Sequence, residues 1–330
     1  MILFVVGDSG PAKYLAHVMV ALHDSQYKCI ATSISAKVLD KFSIEYCIED
    51  DLIKVENFNL IITGSRFEYS IDKKWVSIGI KGNIKTISII DHWSLYQKRF
   101  EMDGKYVFPD MIFVNDNQAK KEAMNDGIPE DKLHIMGNPV LENTQKYDYS
   151  IDDELMWRSD LGIARESKII TFVSENFKVD FQENSSEYEG FNEFEVLNDI
   201  CEVLDSSIIL LIKLHPAEDN NKYNFLANNL NIVVISEADN NKLIEFSDIL
   251  IGMGSMLLLE ASLIKNQVYS YRPNEKIEFI GNKNGMVKKI HNKSELKKKL
   301  LNSKDVNITI EKNMFIGSTE NIVNLIKNLL

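Results

Sequence analysis

Two stretches limit most tightly what this chain can fold into. Ile249 to Ile251 is a short apolar run that ends at Gly252, Met253 and Gly254, and Ser255 stands where a helix through Glu260 begins. Ile208 to Leu214 is a second apolar run, broken only by Lys213, and it stops at His215 and Pro216. Apolar runs of this length bounded by turn residues read as strands buried on both faces, the pattern of parallel strands. Parallel neighbours need a crossover, usually a helix, so the chain belongs to the α/β class. Ligands of such sheets sit beyond the carboxyl ends of the strands, where Gly252–Ser255 and His215–Pro216 fall.

The residue types at these two ends suit a phosphate. Glycines at 252 and 254 let the backbone approach a ligand, Ser255 can cap the next helix, and amides at a helix start favour an anion. Glu260 lies five residues past Ser255, within reach of a sugar hydroxyl beside the phosphate. His215 can donate to a phosphate or to a reacting oxygen. A plain strand-to-helix turn with a solvated Glu260 would use the same residues. The His215–Pro216 end one βαβ unit earlier favours the binding reading.

With 330 residues the chain is long enough for two domains. A formal charge of -12 argues against nucleic acid as the main partner, because phosphate backbones are held by dense Lys and Arg. Cys29, Cys47 and Cys201 are scattered without metal spacing, which points to a reducing cytoplasm and no disulfide framework. No apolar run approaches the ~20 residues that span a bilayer. Met1 to Val6 leads straight into Gly7 and Asp8 without a basic start or cleavage site, so it reads as a first strand and not a signal peptide. The Lys-rich stretch 288–299 reads as a solvated helix face, with at most peripheral contact to anionic headgroups.

Taken in order, the chain alternates strand and helix. Ile2–Val6 is followed by a turn with Asp8 and Ser9, either of which can cap the helix carrying Leu15, Val18, Met19 and Leu22. Further strands are expected at Tyr27–Thr32, Leu60–Thr63, Thr86–Ile90, Met111–Val114 and Leu133–Met136. The strand over Thr86–Ile90 ends in Asp91, His92 and Trp93. Asp91 is placed there to orient His92 or to act as a base, and Trp93 and Tyr96 to stack on a sugar ring. A structural strand-end cluster is the alternative.

Gly137, Asn138 and Pro139 turn the chain toward a second half, through a polar linker and a short helix with Leu155 and Trp157. Ser167–Val173 restarts the β pattern, with Ser174 and Glu175 at its carboxyl end. The stretch Phe177–Phe191, with Glu183, Glu187 and Glu189, reads as a flap or an exposed insert. Helices are expected at Phe194–Leu204, Tyr223–Leu230 and Leu243–Phe246, strands at Ile232–Ile235 and Gln267–Tyr271, and a last helix from Thr319 capped by Ser318 or Thr319. The expected domains are 1–148 and 149–330, with the terminal helix 319–330 free to pack back on the first. The chain has no Asp-x-Asp, so a carboxylate-held metal on a diphosphate is not indicated. Nor does it have a Walker P-loop, a Gly-x-Ser-x-Gly elbow or a His-Glu-x-x-His helix.

Three blocks resemble glycosyltransferases of the GT-B type and their fold relative, UDP-N-acetylglucosamine 2-epimerase. Asp131 to Val140, ending in Gly137, Asn138, Pro139 and Val140, is similar to the segment that leads from the first domain to the second in those families. Ile209 to Pro216 resembles their strand ending in His-Pro, also familiar in CDP-glycerol glycerophosphotransferases and GT-B sialyltransferases. Ser247 to Ser255 with Glu260 resembles the block that holds donor phosphates and ribose. Gly7 to Pro11 and Val173 to Asn176 stand where epimerases carry Gly-Thr-Arg-Pro-Glu and His-Arg-Arg-Glu-Asn, which favours a transferase over an epimerase.

The resemblance implies two Rossmann-like doubly wound domains facing a central cleft, with the acceptor on the first and a nucleotide sugar on the second. His215, with Pro216, would contact the donor phosphate or nucleotide. Gly252, Gly254 and Ser255 would cradle the phosphate, Glu260 would bind ribose, and Ser174 and Glu175 complete the donor-binding candidates, with Glu175 near the sugar if the enzyme were an epimerase or hydrolase. Catalytic candidates are Asp8, Asp91, His92 and His215, with Asp8 or Asp91 as the base. The expected reaction moves a sugar from a CMP- or UDP-linked donor to a glycan, lipid-linked or protein acceptor in the cytoplasm, without metal or further cofactor. The alternatives are a sugar-nucleotide 2-epimerase, a CDP-glycerol glycerophosphotransferase and a non-catalytic nucleotide-sugar-binding protein.

Overall fold

The computed structural model describes residues 1–23, 26–48, 54–66, 70–144, 148–185, 188–216, 218–226, 228–229, 231–265, 267–301 and 315–330. The chain divides into two units, Met1–Asn143 with Asn313–Leu330, and Thr144–Lys312. The division falls after Asn143, a few residues ahead of the boundary expected at 148/149.

The first unit holds β1 (Ile2–Val6), β2 (Tyr27–Ala31), β3 (Cys47–Ile48), β4 (Leu60–Thr63), β5 (Lys85–Ile89), β6 (Glu101–Met102), β7 (Lys105–Tyr106), β8 (Met111–Val114) and β9 (Leu133–Ile135). Seven of these form one sheet in the order β3-β2-β1-β4-β5-β8-β9, and every pairing in it is parallel. The remaining two make a small antiparallel hairpin after β5. Ile2, Phe4 and Val6 pack under Leu15, Val18 and Met19 of the helix Ser9–Ala21, while Leu3 and Val5 face Ile71 and Trp75 of the helix Ile71–Lys81. Burial of each such side chain contributes about 1.5–3 kcal/mol, and covering both faces explains why these strands do not alternate. The terminal helix Ser318–Leu329 adds Ile322, Val323 and Ile326 to the same core. Its N-cap is Gly317 in the left-handed region, not Ser318 or Thr319. The Ser318 hydroxyl accepts instead from the Asn138 amide at 3.1 Å, and it donates to the Phe315 carbonyl.

The second unit holds β10 (Lys168–Val173), β11 (Ile208–Lys213), β12 (Ile232–Ile235), β13 (Ile249–Gly252), β14 (Val268–Tyr271) and β15 (Lys288–Ile290). They form one parallel sheet in the order β12-β11-β10-β13-β14-β15. Lys288 and Lys289, read from sequence as part of a helix face, lie on the edge strand β15, and the helix is Lys293–Leu301. Burial of Met286, Val287 and Ile290 holds that segment on the sheet, and lysines are at home on an edge. The helix expected over Tyr223–Leu230 is a single 3-10 turn, Asn224–Leu226, with Tyr223 drawn into the core; Leu230 lies outside the described residues. The stretch Phe177–Phe191 begins with a short helix, Phe177–Asp180, and the rings of Phe177 and Phe191 pack 5.3 Å apart in the core; Glu187 lies outside the described residues.

Both sheets reverse their strand order once, between β1 and β4 in the first unit and between β10 and β13 in the second. Crevices beyond the carboxyl ends at such switch points are where doubly wound sheets bind ligands. Of the candidate site residues, Asp8 follows β1, Ser174 and Glu175 follow β10 and Gly252–Ser255 close β13 at these switch points, while Asp91 and His92 follow β5 and His215 and Pro216 follow β11, one strand to the side. Among the described residues, no helix is long and apolar enough to cross a membrane.

Candidate functional site

In the first unit, Asp8 follows β1 and caps the helix Ser9–Ala21, accepting from the Ser9 amide at 2.7 Å. Its other oxygen is 4.0 Å from Arg66 Nε, which extends from the end of β4. Asp91 follows β5 and lies against Gly10, where any larger residue would meet its carboxylate. Burial raises the Asp91 pKa; nearby Arg99 opposes that shift and the charge of Asp8 adds to it. The fold thus brings Asp8 and Asp91, 83 positions apart in sequence, to one edge. A carboxylate with a raised pKa is a better proton acceptor than an exposed one.

The neighbours of Asp91 differ from expectation. His92 pairs with the Ser94 hydroxyl at 3.0 Å instead of with Asp91, and burial with Arg99 nearby pushes its pKa down to about 4. A neutral imidazole of that kind is a hydrogen-bonding group near neutral pH rather than a charged one. Trp93 and Tyr96 are buried, with Trp93 Nε1 donating to Asp116 at 2.8 Å and the Tyr96 hydroxyl to Glu122 at 3.0 Å. They anchor the loop and are not exposed for stacking on a sugar. Arg99, buried, fastens the same loop by donating to the Ser94 carbonyl at 3.0 Å and the Ser65 carbonyl at 2.7 Å.

Asp72, beneath the loop after β1, is a buried acid to which sequence reasoning did not point. It is 1% exposed, and its Oδ1 accepts from the Gly7 amide at 3.1 Å. Its Oδ2 is buried without a hydrogen-bond partner and faces Gly7, where a Cβ would stand 2.5 Å away. Burial pushes its pKa up to about 6. In the sequence it is only an acid in the first turn of a helix, and nothing there marks a contact 65 residues back.

In the second unit, the carboxyl ends of four neighbouring strands carry the residues of interest. Ser174 and Glu175 follow β10, His215 and Pro216 follow β11, Gly252–Ser255 close β13, and Arg272 follows β14. Gly252 is buried, and a Cβ there would lie 3.1 Å from the Val173 carbonyl, so a glycine lets β13 close on β10. Ser255 caps the helix Met256–Ser262, accepting from the Leu257 amide at 3.2 Å, and Glu260 is partly buried within that helix. Gly254 donates its amide to Glu175 Oε2 at 2.7 Å. Burial drives the Glu175 pKa up to about 7, although the Gly254 and Met253 amides and Arg272 favour its charge.

His215 and Pro216 are exposed, and the His215 backbone is held in a buried polar network. Its amide donates to Glu218 Oε2 at 2.6 Å, and its carbonyl accepts from the Glu218 amide at 2.9 Å. Glu218 Oε1 accepts from the Ser174 hydroxyl at 2.8 Å and from Lys222, which also pairs with Glu193. Ser174 further contacts the Tyr223 hydroxyl at 2.7 Å. Ser174 is therefore an internal strut tying β10 to the His215 loop. Glu218, four residues before Lys222 and three after His215, is the residue that holds the loop.

Arg272 was also missed. Its guanidinium lies over the rings of Phe177 and Phe191, with centroids at 5.8 and 5.2 Å, and pairs with Glu189 and Glu275 at 2.8 Å each. Its Nη1 is 3.1 Å from where a Cβ on Gly254 would stand. A single Arg after an apolar strand carries no motif, so its place beside the glycine turn emerges only once β13 and β14 pair.

The sequence matches no family model and no curated protein. Solved structures resemble it over nearly the whole chain. The UDP-GlcNAc 2-epimerase from Neisseria meningitidis bound to UDP-GlcNAc is 15% identical, with 99% of each chain covered and a TM-score of 0.69. A glycosyltransferase from Rickettsia africae is 16% identical, with 99% of this chain and 96% of that one covered and a TM-score of 0.64. Anabaena Alr3699/HepE in complex with UDP-glucose is 10% identical, with 99% and 95% covered and a TM-score of 0.61. Two Rossmann-like units in this order, matched end to end by these structures, give the chain a GT-B type fold.

Proposed function

We propose that the protein is a metal-independent glycosyltransferase that takes a sugar from a CMP- or UDP-linked donor. The observation that carries this reading is that His215, Glu175, the Gly252–Ser255 turn and Arg272 stand at the carboxyl ends of four neighbouring strands, β11, β10, β13 and β14, on either side of the switch point of the second sheet. Full-length likeness to structures described as bound to UDP-GlcNAc and UDP-glucose supports the donor class. His215 donates to the donor phosphate, the Gly254–Ser255 turn lies against it, and Glu260 takes a ribose hydroxyl. Fixed donors of this kind stabilise charge that develops on the leaving phosphate. Asp91, raised by burial and by Asp8, accepts the proton of the acceptor hydroxyl.

The likeness to 2-epimerases supports a second reading, turnover of the nucleotide sugar without an acceptor. The two separate cleanly. Nucleotide-sugar donors are incubated with the protein, with and without an extract of glycan and lipid-linked acceptors, and the nucleotide and sugar products are followed. Release of free nucleotide that depends on the extract supports the transferase. A new epimeric nucleotide sugar formed without extract supports the epimerase and removes the transferase.

A further inference from the structure

The turn that the proposed function assigns to a phosphate already holds an anion, and that anion is Glu175. Its carboxylate spans the switch point from the end of β10 and takes the Gly254 amide at 2.7 Å. The charged groups that act on Glu175 are themselves engaged. From beyond β14, Arg272 faces Glu175, but it is paired with Glu189 and Glu275. From the loop after β11, Glu218 faces Glu175 as a like charge, and Lys222 reaches the Glu175 carbonyl at 3.4 Å while paired with Glu193 and Glu218. Lys289 of β15 is engaged by Glu275. A phosphate arriving beside an ionised Glu175 would meet a lining in which every cation named is already matched by a carboxylate. Like charges at that range oppose binding.

We propose that a ligand phosphate takes the Gly254 amide over from Glu175, and that Glu175 takes up a proton from solvent as it does so. This rests on the nucleotide-sugar reading of the second unit. Protonation removes the like charge and turns an acceptor into an O–H donor that can face a phosphate oxygen. No bond within the ligand changes; the proton moves from water or buffer to the carboxylate. The burial that pushes Glu175 up to about 7 makes that proton available near neutral pH. If only the protonated form binds, the apparent affinity follows the protonated fraction, which makes it about tenfold weaker at pH 8 than at pH 6.

The test is calorimetric titration of the full chain with UDP-N-acetylglucosamine and with CMP-N-acetylneuraminate, whose esterified phosphates do not titrate over this range. Wild type and Glu175→Gln are each measured at both pH values, in buffers of different ionisation enthalpy. The expected result is tenfold tighter wild-type binding at the lower pH, with proton uptake read from the buffer dependence. Glu175→Gln, which keeps an oxygen for the Gly254 amide, is expected to bind equally at both pH values and without proton uptake. A slope that survives in that variant belongs to a group other than Glu175 and overturns the proposal. Wild-type binding that is flat with pH and releases or takes up no proton overturns it while leaving the nucleotide reading intact. If neither compound binds either protein at either pH, the nucleotide reading falls and the proposal with it. Should the variant not fold, His215→Gln is titrated in its place: proton uptake that persists there supports Glu175, and uptake lost with that substitution overturns the proposal.

Discussion

Asp72 offers a quantitative test of how the first unit is built. Its carboxyl is 1% exposed, only one of its oxygens has a donor, and burial lifts its pKa from 3.8 to about 6. A carboxyl whose folded-state pKa lies above its unfolded value stabilises the fold fully at low pH. That contribution is lost as the pH rises through the folded value, because the unfolded chain releases the proton more readily. A shift of about two pKa units corresponds to about 3 kcal/mol, lost between about pH 4 and pH 7. Asp72→Asn keeps an oxygen for the Gly7 amide and cannot ionise, so it escapes that loss. Urea unfolding of the Trp157→Phe chain, followed by Trp75 and Trp93 fluorescence, reports the first unit alone. In that background, Asp72→Asn is expected to gain about 3 kcal/mol relative to Asp72 across this window. Stability curves that run parallel with and without the substitution would refute the account of Asp72 as a buried carboxyl that resists ionisation.

Other outcomes follow from the same contacts. Glu218→Ala removes the carboxylate that joins Ser174, Lys222 and the His215 amide, and is expected to destabilise the second unit by about 3 kcal/mol in chemical denaturation. Gly254→Ala puts a methyl 3.1 Å from the Arg272 guanidinium and is expected to weaken nucleotide-sugar binding about tenfold by calorimetry, with the melting temperature nearly unchanged. Asp91→Asn is expected to lower turnover by about 100-fold or more while donor affinity holds, and equal losses in both would move Asp91 out of the chemistry. His92, neutral through the physiological range, is expected to leave no inflection near pH 6.5 in the pH–rate profile.

Most of the fold was legible because buried parallel strands announce themselves as apolar runs. The strands Leu60–Thr63, Met111–Val114 and Ile232–Ile235 have the bounds their sequence gave. The short edge strand Cys47–Ile48 and the hairpin Glu101–Tyr106 were not legible, since two-residue strands present no period. Lys288–Ile290 was obscured because its lysines continue the charge run of the next helix. That Asp8, Asp91, Glu175, His215 and Gly254 stand at strand ends was legible because position after an apolar run marks them. Their partners Asp72, Arg99, Glu218 and Arg272 could not, since each acts through a contact set by strand order. Trp93 and Tyr96 were misread because an aromatic at a strand end looks the same in sequence whether it faces a ligand or the core.

The central claim is that the second unit binds a nucleotide sugar through His215 and the turn after β13. The most direct measurement is a thermal-shift titration of the full chain with CMP, CDP, UDP, GDP and their sugar conjugates, repeated with His215→Ala. A ligand that binds only the folded state raises the midpoint by mass action, by an amount equivalent to about 2.7 kcal/mol at a hundredfold excess over Kd. The account expects one base to stand out, its sugar conjugate to raise the midpoint of the wild type, and that rise to shrink or vanish in His215→Ala. A chain whose midpoint no nucleotide moves, or one that His215→Ala binds as well as the wild type, would contradict it.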